Sequence, residues 1–391
     1  MAKRVGIEVS LAIGEAAKLA DVDVVAAYPI TPQTHIVEHL AELVAEGELN
    51  AAYIPVESEH SAMSTCLGSS AAGARSFTAT AGQGLELMHE VLYAAASMQL
   101  PIVMTVANRA LSAPLSVWGD HSDVMSVRDT GWIQIFTENG QEVLDNVLCA
   151  FRIGEDNGVL LPVMVHLDGF HLSHMVEPIF IPEQKEVDKF LPQLNYPLPL
   201  DPVKPVTMGA FAPPIIYAEA KKAQEKNLIA SKSVILKCWQ EFAGIFGRQY
   251  SPVEIYRTEG AKTLLLTMGS YSETAMGTID KMRDKGKDVG LVRLRLWRPF
   301  PTEELRQAVS DAETLVVFDR ALSLGGQAGP VCSEIRSALY SQDKKPKVTN
   351  IVGGLGGRDV TVADFEEIIN RGIELSKDGS GNETEIYGVR E

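Results

Sequence analysis

Residues 75–107 read RSFTATAGQGLELMHEVLYAAASMQLPIVMTVA. Arg75–Thr80 is short and β-prone, Gly82-Gln83-Gly84 interrupts it, Leu85–Gln99 carries helical spacing, and Pro101–Ala107 is almost wholly apolar. This is one strand–turn–helix–strand unit. A strand without polar alternation needs helices on both sheet faces, which predicts a parallel, helix-covered sheet. The alternation extends both ways. Upstream, Val5–Ala20 reads as a helix, Val22–Tyr28 as a strand ended by Pro29, Gln33–Ala45 as a helix, Ala51–Val56 as a strand and Glu59–Ser70 as a helix. Downstream, strand Trp132–Phe136, helix Gln141–Ile153 and strand Leu161–Leu167 continue it.

Residues 178–214 change character. Pro192, Pro197, Pro199, Pro202 and Pro205 forbid a central strand or a long helix there, so an extended surface segment is expected. Ala218–Phe246 is helical again. A second α/β unit begins near Gly260, with strands Thr263–Thr267, Gly290–Leu296, Thr314–Phe318 and Val348–Val352. Helices Ser272–Arg283, Thr302–Val309 and Val362–Ser376 lie between and after them, and a polar tail from Asp378 is expected to be loose or draped on a partner. The predicted class is α/β, two doubly wound domains, divided as 1–256 and 257–391.

Composition narrows the function. The chain has 391 residues, 46% apolar and 22% charged, with a net charge of −16. That acidity argues against nucleic acid or an anionic membrane as a main partner. No apolar run is long enough to span a bilayer, and the first residues carry no signal core, so a cytoplasmic location is expected. Cys66, Cys149, Cys238 and Cys332 are isolated, with no metal or cluster spacing. Any redox metal must therefore sit on another chain.

In an open parallel sheet, ligands bind beyond the carboxyl ends of the strands. Four segments fall there. Tyr28-Pro29-Ile30-Thr31-Pro32-Gln33-Thr34 could offer Thr31 and backbone N–H groups to an anion, or simply form a capped rigid turn. Glu57-Ser58-Glu59-His60 places two carboxylates where they cannot both face one way; surface capping is the plain alternative. Gly82-Gln83-Gly84 could bring the backbone close to a ligand or merely pack tightly, and it is neither a P-loop nor a dinucleotide fingerprint. Arg109 follows the most buried strand, where it needs a carboxylate, either of the protein or of a ligand. Asp120, His121 and Asp123 nearby read as a capping loop or, less simply, a metal site.

Taken together, YPITPQT, ESEHSAM, TATAGQGLELMHE, NRALSAP with WGDHSD, and RDTGW resemble the alpha subunit of pyruvate:ferredoxin oxidoreductase, of the 2-oxo acid:ferredoxin oxidoreductase family. The resemblance continues through LLTMGS, RLWRPFP, VVFDR and GGLGGRD, and so covers nearly the whole chain. It implies a pyrimidine-binding-type domain of thiamine enzymes followed by a transketolase C-terminal-like domain. It places the glutamate that meets N1′ of the thiamine diphosphate aminopyrimidine on Glu59. A carboxyl there favours the imino tautomer, whose N4′ removes the C2 proton. It places the substrate-carboxylate ligands on Thr31 and Arg109, and further cofactor contacts on Tyr28, Pro29, Ile30 and Gln83. The implied reaction is reversible oxidative decarboxylation of a 2-oxo acid, with coenzyme A taking the acyl group and electrons leaving through iron–sulfur clusters to ferredoxin.

The chain lacks the GDG…N motif that holds the diphosphate and Mg2+, and it lacks cluster cysteines. The resemblance assigns these to other chains: a beta subunit with diphosphate, Mg2+ and the nearest 4Fe–4S cluster, a gamma subunit, and a ferredoxin-like delta subunit. No metal is expected on this chain. Pyruvate is the expected substrate, because Ser112-Ala113 and the Asp120-His121 loop resemble the pyruvate group. A branched-chain 2-oxo acid enzyme is the alternative, and a non-catalytic scaffold subunit is the alternative of another class.

Overall fold

The computed structural model describes residues 3–378 and 384–390. The chain runs β1 (Lys3–Glu8), α1 (Val9–Leu19), β2 (Val24–Ala27), α2 (Thr34–Ala45), β3 (Ala52–Pro55), α3 (Glu59–Ala71), β4 (Ser76–Thr80), α4 (Gly82–Leu87), α5 (His89–Ser97) and β5 (Val103–Asn108). It continues as α6 (Ser122–Ser126), β6 (Ile133–Phe136), α7 (Gly140–Gly154), β7 (Val163–Asp168), β8 (Val176–Ile181), α8 (Gln184–Phe190) and α9 (Pro214–Phe246). Then come β9 (Val253–Tyr256), β10 (Thr263–Thr267), α10 (Tyr271–Asp284), β11 (Val289–Leu294), β12 (Leu296–Arg298) and α11 (Thr302–Ala308). Last are β13 (Thr314–Asp319), α12 (Pro330–Leu339), β14 (Lys347–Val352), α13 (Val362–Asp378) and β15 (Thr384–Ile386).

Two α/β sheets result. The first has seven strands in the order β12-β6-β7-β5-β4-β2-β3, and the second six in the order β15-β14-β13-β10-β11-β9. All pairings within them are parallel except β12 with β6 and β9 with β11. β4, β5 and β7 are buried along their whole length, as expected of central parallel strands covered on both faces. Strand order reverses between β2 and β4 in the first sheet and between β10 and β13 in the second. These are the places where such sheets open a crevice at their carboxyl edge.

Four expectations are corrected. Val5–Ala20 is not one helix: Lys3–Glu8 is a strand, antiparallel to β8, with Gly6 opposite Pro178. The backbone of Lys3–Glu8 is taken up by pairing with β8, and the helix starts only at Val9. The proline-rich stretch is not wholly irregular, since β8 and α8 lie at its start; α8 opens with a capping box formed by Glu183 and Glu186. The segment read as one strand from Gly290 to Leu296 divides, and β12 leaves to pair with β6 in the first sheet. The tail is not loose throughout: β15 adds to β14 in parallel. Residues 379–383 of the tail lie outside the described residues. Near the expected division at 256/257, β9 pairs within the second sheet while β12 returns to the first.

One apolar cluster joins the two units. It holds Leu92, Val106 and Trp132 from the first and Leu264, Val292 and Leu315 from the second, all buried. Burial of this kind contributes roughly 25 cal/mol per Å² of apolar surface.

Candidate active site

The carboxyl ends of β2, β3, β4 and β5 bring the sequence-predicted residues to one edge of the first sheet, around its β2/β4 reversal. Arg109 directly follows β5 and is 8% exposed. Its Nε donates to the Ser116 carbonyl at 2.8 Å and one terminal nitrogen to the Thr31 carbonyl at 3.0 Å. Among the described residues no carboxylate lies within ion-pair distance of it. The alternative of a structural ion pair is therefore not what the fold provides. Burial pushes the guanidinium pKa down, and the charge of Asp123 works against that shift.

Glu59 is the first residue of α3, next to its N-cap Ser58, whose hydroxyl accepts the Ser61 N–H at 3.3 Å. The two glutamates do face different ways: Glu57 is exposed and Glu59 is buried, 5% exposed. His60 is also exposed. The Glu59 carboxylate reaches the start of α4. A Cβ on Gly84 would stand 2.6 Å from Glu59 Oε1 and 2.6 Å from Thr80 Oγ1, so only glycine leaves room there. Gly82 has φ +48°, and a Cβ on it would meet the Arg109 stem at 3.0–3.2 Å. The two glycines of GQG thus admit the two charged side chains, one each.

Around that turn the buried Thr80 hydroxyl and both polar atoms of the Gln83 amide have no hydrogen-bond partner. Buried polar groups are rarely left unpaired, and a ligand seated here would supply the missing partners. The Tyr28–Thr31 loop is held against β4 by Gln33. Its amide donates to the Ala79 carbonyl at 2.8 Å and accepts the Ile30 N–H at 3.2 Å. Thr31 and Pro29 are exposed, and Tyr28 and Ile30 are half-buried. Thr80 and Gln33 were missed in sequence: threonine in a strand and glutamine before a helix carry no signal without the neighbour they face.

The donors of the Asp120–Asp123 loop are engaged within the protein. Asp120 accepts Ser122 N–H and hydroxyl and the Gly356 N–H, His121 meets Asp168 at 3.1 Å, and Asp123 turns to backbone N–H groups. The one cluster of mixed donors among the described residues, Glu8, His35 and His174, is tied up internally. His35 bonds Glu8 at 2.7 Å and His174 bonds the Ser173 hydroxyl at 2.7 Å.

Comparison with known proteins decides the family. Residues 15–238 match the model described as pyruvate flavodoxin/ferredoxin oxidoreductase, thiamine diphosphate-binding, and residues 261–365 match pyruvate:ferredoxin oxidoreductase core domain II. The chain belongs to the pyruvate:ferredoxin oxidoreductase family. It is 51% identical to the pyruvate synthase subunit PorA of Methanothermobacter thermautotrophicus over 93% of this chain and 94% of that one. It is 46% identical to PorA of Pyrococcus furiosus, covering 93% and 92%, and 46% identical to the ketoisovalerate oxidoreductase subunit VorA of Pyrococcus horikoshii, covering 90% and 89%. Two solved structures share the fold. One is the 2-oxoglutarate:ferredoxin oxidoreductase of Magnetococcus marinus, with TM-score 0.74 and 20% identity, over 95% of this chain and 65% of that one. The other is a split-gene transketolase, with TM-score 0.55 and 13% identity, over 95% of this chain and 100% of that one. Thiamine diphosphate, implied by the family, fits the residues present. A buried carboxylate, an unbonded hydroxyl and an unbonded amide surround a glycine that leaves space between them.

Proposed function

We propose that this chain is the alpha subunit of a pyruvate:ferredoxin oxidoreductase, or pyruvate synthase. It is one half of an active site that converts pyruvate and coenzyme A to acetyl-CoA and CO2, passes the electrons to ferredoxin, and also runs in reverse. The observation that carries this reading is Arg109, buried, anchored on two carbonyls and lacking any protein carboxylate among the described residues. A desolvated guanidinium fork of this kind suits a substrate carboxylate. Thr31, whose backbone carbonyl Arg109 holds, donates its hydroxyl to the same group. Glu59 holds a proton at N1′ of the aminopyrimidine, and Thr80, Gln83, Tyr28, Pro29 and Ile30 line that ring. When bound, thiamine diphosphate supplies the nucleophilic carbon and the electron sink.

The remaining parts come from partners. A beta subunit brings the diphosphate-binding residues, Mg2+ and the nearest 4Fe–4S cluster, and gamma and ferredoxin-like delta subunits complete the assembly. The absence of a GDG…N motif and of clustered cysteines in this chain supports that division. No helix among the described residues is long and apolar enough to cross a membrane, which accords with a cytoplasmic enzyme. We assign 1–256 to pyrimidine binding and 257–391 to a transketolase C-terminal-like unit that supports it.

The VorA relative keeps a branched-chain 2-oxo acid as the alternative substrate, but PorA relatives reach the higher identity, 51% against 46%. A substrate panel on the purified hetero-oligomer, read as coenzyme A-dependent dye reduction, separates the two. Pyruvate should exceed 2-oxoisovalerate, which carries two more carbons, at least tenfold in kcat/KM, since a single methylene already provides roughly 10- to 200-fold. A preference for the branched acid overturns the pyruvate assignment.

A further inference from the structure

Asp123 is fully buried at the start of α6, between the two loops that carry the site. Its Oδ2 accepts the Arg109 N–H at 2.9 Å and the Gly82 N–H at 3.0 Å. Its Oδ1 accepts the Val124 N–H at 2.8 Å and the Asn108 side-chain amide at 3.4 Å. Burial, reinforced by the charge of Asp120, raises the carboxyl to about 7 against the opposing pull of the N–H groups of Arg109, Gly82 and Val124. Every partner is an N–H donor, so the site suits an acceptor-only group, an ionised carboxylate. The bond to Arg109 is made to its backbone, not to its guanidinium. The negative charge therefore sits behind the arginine, favouring its charged form, while leaving the fork free.

The other end of the same loop is fixed by the second unit. The His121 N–H donates to the Arg320 carbonyl at 2.8 Å, Arg320 donates to the Gly119 carbonyl at 3.0 Å, and the Gly356 N–H donates to Asp120 at 3.0 Å. The loop thus connects the second unit's strand ends to the backbone of Arg109.

We propose that Asp123 is a positioning residue: it holds Arg109 at a set distance from the Gly82–Gly84 turn and balances its charge from the rear, so that the fork stays charged and open for the substrate carboxylate. This rests on the 2-oxo acid reading of Arg109. It also gives the Asp120–Asp123 loop a function that neither a cap nor a metal site explains.

The test uses the purified hetero-oligomeric complex. Asp123→Asn keeps the shape but turns an NH2 group toward N–H donors and removes the charge. It should raise the pyruvate KM at least tenfold while kcat falls less than threefold. In an Arg109→Lys background the same change should alter KM less than twofold, because Asp123 acts through that arginine; contacting or coupled residues are non-additive. Should the asparagine variant fail to assemble, Asp123→Ser, which can take the N–H groups with a hydroxyl and an admitted water, should show the same KM rise. A KM within twofold of wild type, a loss confined to kcat, an equal factor in the Arg109→Lys background, or failure of both variants to assemble overturns the proposal. If Arg109→Lys alone leaves the pyruvate KM unchanged, the carboxylate reading of Arg109 fails first, and that result is distinct from a failure of Asp123 alone.

Discussion

Arg109 and Arg320 occupy matching places. Each directly follows a wholly buried parallel strand, β5 or β13, at the carboxyl edge of its sheet. Arg320 has its charge matched within the protein: it pairs with Asp168, donates to the Gly119 carbonyl at 3.0 Å and lies 4.2 Å over the Tyr271 ring, with only its buried Nε left unbonded. Asp168 is also bonded by the Ser270 N–H at 2.8 Å and hydroxyl at 2.6 Å. Burial opposes its charge, yet Arg320 and His121 hold its carboxyl well below the ordinary carboxylate range. The Arg109 guanidinium meets only carbonyls. Two crevices built on one topology have thus diverged: the second is filled by an ion pair reaching across from the first unit, and the first keeps its cation unpaired. Topology marks where a ligand can bind, and incomplete pairing is the reason the proposed function places one at the first crevice rather than the second.

The comparison breaks most sharply in stability. Arg320→Ala leaves Asp168 buried without its partner, a change that typically costs about 3–5 kcal/mol. The urea midpoint of the chain should fall strongly, and an unchanged midpoint would mean that the second crevice is not held by this pair. Arg109→Ala should do the reverse, leaving the midpoint nearly unchanged while kcat/KM for pyruvate falls by about 2–5 kcal/mol of lost carboxylate binding. Glu59→Gln should slow exchange of the bound cofactor's C2 proton about 10²-fold with the pyruvate KM little altered. Normal exchange in the folded variant would remove Glu59 from the chemistry.

The smallest effect concerns His166 on β7, the strand that ends in Asp168. It is fully buried, with neither ring nitrogen bonded and Phe136 at 4.6 Å. Burial, reinforced by the charge of His121, pushes its pKa down to about 3. An unfolded imidazole takes up a proton below about pH 6.5, whereas the folded one stays neutral, so this residue costs stability as pH falls from about 6.5 toward 3. His166→Leu should make the acid side of the stability profile shallower than wild type, by at most about 1.4 kcal/mol per pH unit. Parallel profiles would show that His166 contributes nothing to acid sensitivity.

Glu59, Thr31 and Arg109 could be nominated from sequence because strand-end position and residue chemistry agree there and the family pattern falls on the same residues; the fold brings them to one sheet edge, and their roles rest with the proposed function. The alternating core was legible because β4, β5 and β7 are buried throughout. What was not legible depends on partners distant in the chain. Asp168 and Arg320 are 152 residues apart, and no local spacing pairs them. Thr80 becomes informative only once Gly84 and Glu59 surround it. β1 escaped because its partner, β8, lies beside a proline-rich stretch, and β12 escaped because so short a strand does not announce which sheet it joins.

That brief excursion of β12 has a consequence for anyone dividing the molecule. It covers the outer side of β6, whose residues Ile133–Phe136 are all buried. A chain ended after Tyr256 would present β6 as an open edge, with unpaired N–H and C=O groups beside apolar side chains, the kind of edge that recruits strands from other molecules and leads to aggregation. The halves named by their sheets are therefore not the halves that can be made separately, and the second half acts as an edge guard for the first.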